Sequence, residues 1–202
     1  MSIRTLSETD FDAPDLKRAR PGTAHPSQTL CHDWMIVSGN CHYARDRAAF
    51  TSYRPVNVCL KHNVFNPTDE LQVAGVGTVA LRVLRTVDAA AAASSGMITM
   101  GEGTDGAVEH TLVLENVLHI PEAVCNGFNP LLYGSSMSCG AEAWTGADRG
   151  GVPLWVALPF AGGSRLVLAG HKEKQGVSEL IAGRYYTLSL YVSAEEKAEL
   201  GV

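Results

Sequence analysis

The feature that most constrains the fold of this chain is a series of short apolar segments separated by Gly, Asn and Pro. Beyond residue 30 these segments include "WMIV", "VNVCL", "ELQVAGVGTVALRVLRTV", "HTLVLENVLHI", "PLWVALPF", "SRLVLAG" and "RYYTLSLYV". Most are rich in Val, Ile, Leu and Tyr, and several alternate apolar with polar residues at a period of two, as strands do. Many short strands joined by turn residues are typical of an all-β barrel or sandwich.

Length and composition indicate one domain with a tail. The chain has 202 residues, of which 46% are hydrophobic, and this is enough to form one real core. Residues 1–30 are rich in Asp, Pro, Arg and Thr and lack strand periodicity, so we predict a polar N-terminal tail there. We predict a single β domain over 31–202, ending in a short helix at "SAEEKAEL", which has a Ser cap and an acidic first turn.

Charge and hydropathy argue against two classes of partner. The chain has 16 Lys and Arg against 21 Asp and Glu, for a net charge of −5, whereas binding phosphates requires a concentrated basic surface. Apolar runs fall short of the ~20 residues that cross a bilayer. We therefore expect no nucleic-acid partner and no membrane partner. A polar N-terminus and five cysteines without a CxxC pair favour a cytoplasmic location with reduced thiols.

No segment carries a recognisable cofactor or metal motif. The Gly-rich stretch "GEGTDG" at 101–106 is not followed by the lysine of a phosphate-binding loop. The absence of a CxxC pair argues against a structural zinc site of the usual spacing. We therefore expect neither a cofactor nor a bound metal.

A set of motifs in fixed order resembles a known family. An apolar strand with Trp is followed by Ser-Gly, His, Asp-Arg and Phe-x-x-Tyr, then by "GVGTV" at 75–79 and "NVLHIPE" at 116–122. In this order they resemble the aspartic-protease-like β-barrel domain of copia-type retrotransposon Pol polyproteins, over roughly 34–191. The positions that carry the resemblance in the first stretch are Trp34, Ser38, Gly39, His42, Asp46, Arg47, Phe50 and Tyr53. The resemblance implies a closed or partly open barrel of the retroviral-protease type.

The sequence departs from this family at its catalytic position. The family has an Asp before the Ser-Gly or Thr-Gly turn, and this chain has Val37. An aspartic protease needs two carboxylates that share a proton, and a valine can neither bind the water nor take its proton. The turn is also one residue short before His42. The resemblance therefore implies a domesticated, free-standing pseudoenzyme that is not an active aspartic protease, and a homodimer, because the family builds its cleft between two copies.

The same turn holds the candidate site residues. His42 and Asp46 are four residues apart, so on a helical turn they would share a face and Asp46 could orient the imidazole as a catalytic base. The alternative is that Asp46 caps or pairs locally while His42 packs near the turn. Further candidates for binding a ligand are Val37, Ser38, Asn40 and Tyr43, which would line the floor of an apolar cleft.

Three functions remain open on the sequence alone. The first is a non-proteolytic ligand-binding or assembly protein. The second is a cofactor-independent isomerase or cyclase that uses the barrel cavity for a small molecule, since such reactions need shape and a few polar groups. The third is a residual peptidase with a displaced acid, such as Asp33 or Asp46.

Overall fold

The structure, a computed structural model, describes residues 30–61, 71–88, 108–170, 178–184, 186 and 188–202. The strands are β1 (Trp34–Ile36), β2 (Tyr43–Ala44), β3 (Phe50–Leu60), β4 (Leu71–Leu84), β5 (Glu109–His119), β6 (Asn126–Phe128), β7 (Ser136–Cys139), β8 (Trp144–Ala147), β9 (Pro153–Phe160) and β10 (Gly163–Leu166). A 3-10 turn spans Arg47–Ala49, and the helices described over their full length are α1 (Pro130–Tyr133) and α2 (Ala194–Leu200).

The ten strands form one open sheet in the order β3-β4-β5-β2-β6-β1-β10-β9-β8-β7. The all-β prediction is therefore confirmed, and the closed form of the predicted barrel is wrong. Strands β3 and β7 are the two ends of this order, and no pairing between described residues joins them. All four residues of β7 are exposed, and within the described ranges this strand pairs only with β8.

The central strand β1 is apolar throughout because both of its faces are covered. It pairs in parallel with β6 and antiparallel with β10. Successive side chains of a strand point to opposite faces, and here Trp34 packs in one buried cluster while Met35 packs in the other. The period-two rule therefore does not apply to "WMI", and a continuous apolar run is what a strand buried on both faces requires.

Two β-bulges lie on either side of Thr78 in β4. The pairing of β3 with β4 shifts by one residue at Thr51, and on the other side Glu115 and Asn116 of β5 both lie opposite Thr78. Asn116 has a φ of 53°, which lies in the left-handed region that Asn tolerates better than most residues. Bulges bend a strand and increase its twist, and here two of them fall at the same level of the sheet, next to Thr78.

The C-terminal helix is capped as the sequence predicts. The Ser193 hydroxyl accepts from the Glu196 N–H at 3.2 Å, and the Glu196 carboxylate accepts from the Ser193 N–H at 2.8 Å, which completes a capping box. The same carboxylate accepts from the Lys61 N–H at 2.7 Å, so the helix is also attached to the end of β3. None of the helices in the described ranges is long and apolar enough to cross a membrane.

Two further predictions from the sequence concern the last strand and the N-terminal tail. In the predicted strand "RYYTLSLYV", the described residues form no ladder, and only Leu190 makes an isolated parallel bridge, to Gly39. The predicted tail at 1–30 falls almost wholly outside the described residues, which begin at Leu30.

Candidate ligand-binding cleft

A cleft of about 420 Å³ lies between the β1–β2 loop, strand β5, helix α1 and the C-terminal segment. Its volume is within the range of small-molecule sites, and its wall combines apolar side chains with a few polar ones. The lining residues are Asn40, Cys41, His42, Val113, Leu114, Glu115, Asn116, Leu118, Leu132, Tyr133, Val192, Lys197 and Val202.

His42 is the buried polar side chain of this cleft, with 6% of its surface exposed. Its Nδ1 accepts a hydrogen bond from the backbone N–H of Asn129 at 3.1 Å, and its ring is stacked on Phe128 with a centroid separation of 5.8 Å. A backbone N–H can only donate, so Nδ1 carries the lone pair, and in the neutral ring the proton must be on Nε2. The fold therefore fixes both the orientation and the tautomer of this imidazole.

Burial keeps the His42 ring neutral. Removal from water lowers the pKa of His42 from 6.5 to about 4, because the charged form loses its hydration. Within the described part of the chain, no hydrogen-bond acceptor reaches Nε2. Because His42 lines the cleft, a ligand with an acceptor atom can bond to this Nε2–H.

Two asparagines hold the loop that carries His42. The Asn40 side-chain amide donates to the Val192 carbonyl and accepts from the Val192 N–H, both at 2.7 Å. The Asn129 amide donates to the Gly39 carbonyl at 3.0 Å and accepts from the Leu131 N–H, which caps α1. Asn40, a candidate binding residue, therefore lines the cleft with its amide already bonded to the protein.

The other three candidate binding residues do not line the cleft. The Val37 side chain is buried in the core, and the Tyr43 hydroxyl donates to the Leu188 carbonyl at 2.7 Å. The Ser38 and Ser189 hydroxyls lie 2.9 Å apart in a hydrogen bond. The turn that resembles a protease active site is therefore hydrogen-bonded to the C-terminal segment of the same chain, while Ser38 and Gly39 stay exposed.

His42 and Asp46 bond to different partners. One Asp46 carboxylate oxygen accepts from the Cys31 N–H at 2.7 Å, and His42 bonds to Asn129. The pKa of His42 is lowered by burial, with no contribution from a carboxylate. Because Tyr43–Ala44 form the extended strand β2, the four-residue spacing does not bring the two side chains to one helical face. Asp46 therefore bonds to a backbone group 15 residues earlier in the chain, and among the described residues it makes no hydrogen bond to His42.

A second cleft of about 430 Å³ adjoins the first at the β5 bulge. Both are lined by Glu115 and Asn116. Sequence reasoning gave no role to these two residues, nor to Leu132, Tyr133 and Lys197, because the bulge and the docking of α1 and α2 bring them to the cleft. The further lining residues of the second cleft are Ser52, Tyr53, Arg54, Val76, Gly77, Thr78 and Gly201.

Tyr53, which lines the second cleft, takes part in a structural brace. Its hydroxyl lies 2.9 Å from the Ala74 carbonyl, to which it donates, and 2.9 Å from Nδ1 of His119, from which it therefore accepts. The Arg47 guanidinium lies 3.8 Å from the centre of the Tyr53 ring. Burial lowers the pKa of His119, so this ring is also held neutral.

Comparisons with known proteins identify no relative: no family model, no curated protein and no solved structure matches this chain. The resemblance to copia-type domains stays a prediction from sequence motifs. Among the described residues, no group of three or more His, Cys, Asp and Glu side chains is placed to hold a metal ion.

Proposed function

We propose that this protein is a non-proteolytic binding protein that takes a small molecule in the cleft beside His42. The observation that carries the proposal is the Nε2–H of His42, a donor of fixed orientation on a buried ring, for which the described residues provide no acceptor. Apolar walls with few converging polar groups are the usual composition of a small-molecule site. Descent from a copia-type protease domain and a cytoplasmic setting belong to the same proposal.

A cofactor-independent isomerase or cyclase is the second candidate. A general base works best with a pKa near the working pH, and the pKa of His42 is about 4. As an enzyme, the protein would therefore use His42 as a neutral hydrogen-bond donor to an oxygen that gains negative charge during the reaction. The cleft side chains of one chain are sufficient for either function, so neither depends on the predicted homodimer.

The arrangement of acids gives no support to the residual peptidase. The Asp33 carboxylate is paired with Arg165 at 2.8 Å, and Asp46 is bonded to Cys31. Neither carboxylate lines the cleft, so neither is placed to activate a water for a substrate there.

Methyl and imidazole NMR with a library of small neutral and charged fragments tests the binding function. We expect fragments to shift the signals of Leu118, Leu132 and the His42 ring. His42→Phe keeps a ring against Phe128 but removes the donor and should weaken binding, whereas His42→Gln can keep an N–H in this region and should retain part of it. Fragments that leave these signals unchanged, or that bind His42→Phe as well as wild type, would contradict the proposal.

A further inference from the structure

Two of the side chains that line the cleft, one buried and one half-buried, act only as hydrogen-bond donors. His42 offers only the Nε2–H, and the Asn40 amide is used by Val192. Lys197 of α2 lines the cleft and is half-buried. In the described part of the chain, no carboxylate lies within ion-pairing distance of its ammonium. A cation and a fixed N–H donor in one cleft favour a ligand with acceptor atoms and negative charge.

One acidic side chain, Glu115, also lines the cleft. It is an exposed residue at the β5 bulge, and the second cleft shares it. Water and salt screen a charge in that position much more than they screen a half-buried one. Glu115 therefore opposes an anion at the buried end of the cleft only weakly.

Apolar side chains at the rim of the cleft are left exposed to water. Val113 is 51% exposed and Leu132 is 49% exposed, on β5 and α1 respectively. Covering apolar surface stabilises a complex in proportion to the area removed from water. A ligand with an apolar body would gain this contribution by lying between β5 and α1.

Resting on the proposed function, we propose that the cleft binds a monocarboxylate with an apolar body. One carboxylate oxygen accepts the Nε2–H of His42, the ammonium of Lys197 compensates the negative charge, and the body covers Val113 and Leu132. A carboxylate has acceptors and no donor, which matches a buried imidazole nitrogen that can only donate. The long, flexible stem of Lys197 lets its ammonium follow the carboxylate within a cleft of about 420 Å³.

Three probes of nearly the same shape separate the contribution of the ligand's charge from that of its apolar body. They are phenylacetate, phenylacetamide and phenethylamine, titrated by calorimetry and by NMR. We expect phenylacetate to bind most tightly and phenethylamine most weakly. Lys197→Met keeps the stem and removes the charge, so it should weaken phenylacetate about tenfold or more, as loss of a charge-assisted hydrogen bond does, and leave phenylacetamide unchanged. Lys61→Met is the matched control, because Lys61 does not line the cleft, and it should change neither affinity.

The outcomes distinguish the ligand class from the binding function. Phenylacetamide binding as tightly as phenylacetate, with no effect of Lys197→Met, would overturn the monocarboxylate and leave the proposed function standing. If none of the probes, nor any fragment of the library, shifted His42 or Leu118, both proposals would fail. If Lys197→Met misfolds, Lys197→Gln replaces it as the variant without the charge. The salt dependence of phenylacetate binding to wild type gives an independent test, because an affinity that does not change with salt excludes the ion pair.

Discussion

Asn40 and Val192 are joined by two hydrogen bonds, one to each backbone group of Val192. The Asn40 Nδ2 donates to the carbonyl at 2.7 Å, and the Asn40 Oδ1 accepts from the N–H at 2.7 Å. One side chain thus pairs with the backbone of a residue 152 positions away, as a neighbouring strand would. The contact holds the His42 loop and the C-terminal segment together, and these form two sides of the cleft.

Asn40→Ala should lower the free energy of unfolding by about 2–3 kcal/mol, because it leaves two partly buried backbone groups without their partner. Asn57→Ala is the control, since Asn57 is exposed and its carbonyl oxygen bonds only to the Gln72 side chain among the described residues. We expect the control to stay within ~0.5 kcal/mol of wild type in urea unfolding. Equal losses in the two variants would show that the Asn40 contact does not stabilise the fold.

Gly39→Ala should be far more damaging than Gly134→Ala. Both glycines have positive φ, 97° and 78°. A Cβ at Gly39 would lie 2.1 Å from the Leu190 carbonyl oxygen, whereas a Cβ at Gly134 would meet no atom within 4 Å. We expect Gly134→Ala to lower the free energy of unfolding by about 1 kcal/mol, from backbone strain alone. Gly39→Ala should lower it by more than roughly 3 kcal/mol or prevent folding. Thermal unfolding of the two variants would measure this, and similar melting temperatures would contradict the close approach at Gly39.

The stability of the protein should fall as the pH drops from about 6.5 toward 4. The pKa of His42 is lowered from 6.5 to about 4 in the folded chain, so the unfolded state binds more protons between these values. The His42 contribution is fully present above pH 6.5 and decreases by on the order of 3 kcal/mol by pH 4. Burial lowers the pKa values of His110 and His119 in the same direction.

Urea unfolding from pH 7 to pH 4 isolates the part of this loss due to His42. His42→Phe cannot titrate at this position, so its stability should fall less steeply than that of wild type over the interval. Parallel curves for the two proteins would mean that His42 titrates in the folded state near its ordinary pKa.

Val37→Asp should not create a protease. Val37 is buried, so its side chain is not available to a substrate, and its neighbour Ser38 is bonded to Ser189 of the same chain. A buried carboxylate at this position should lower the free energy of unfolding by several kcal/mol at neutral pH. Val37→Asn introduces a side chain of similar shape without a charge, so it should lower the free energy of unfolding by less. A peptide library with and without pepstatin checks the activity. Pepstatin-sensitive cleavage by wild type or by Val37→Asp would overturn this prediction.

A chain shortened to begin at Thr29 should unfold within ~1 kcal/mol of the full-length protein. The described part of the chain is already fixed at Cys31, whose N–H donates to Asp46 and whose carbonyl accepts from the Asn126 side chain. Residues 1–28 are polar and lack strand periodicity, so we expect them to add little to the core. A loss of more than roughly 3 kcal/mol would show that the tail supplies core contacts.

The strands were predictable from sequence where their patterns were strong. "ELQVAGVGTVALRVLRTV" and "HTLVLENVLHI" became β4 and β5, and the Ser cap placed α2 correctly. "RYYTLSLYV" has an equally good pattern, yet its described residues form no ladder. They bond to the His42 loop through the side chains of Asn40 and Ser38 and through one backbone bond, from the Asn40 N–H to the Leu190 carbonyl. An alternating pattern predicts which side chains are buried, but it does not predict which groups form hydrogen bonds with the backbone of the segment.

The cleft was predictable only in part. The motif near Val37 predicted candidate site residues at this turn, and one of them, His42, lines the cleft. The backbone N–H of Asn129, which bonds to His42, and Lys197, which lines the same cleft, lie 87 and 155 residues further along the chain. One sequence contains no signal that links such distant positions. The Glu115–Asn116 bulge depends on the register of β4 against β5, and a local pattern does not encode that register.

The central place of β1 has a consequence for biosynthesis. This strand is among the first parts of the described chain to leave the ribosome, but its two neighbours, β6 and β10, are made about 90 and 130 residues later. The loop that carries His42 gains its partner Val192 later still, because Val192 lies 152 residues after Asn40. Contacts this distant in sequence make folding slow, so the apolar segment "WMIV" has no strand partner until β6 and β10 have been made. We therefore expect this hydrophobic segment of the nascent chain to stay exposed until β6 and β10 are made, and the cleft to be complete only after Lys197 and Val202 have been synthesised.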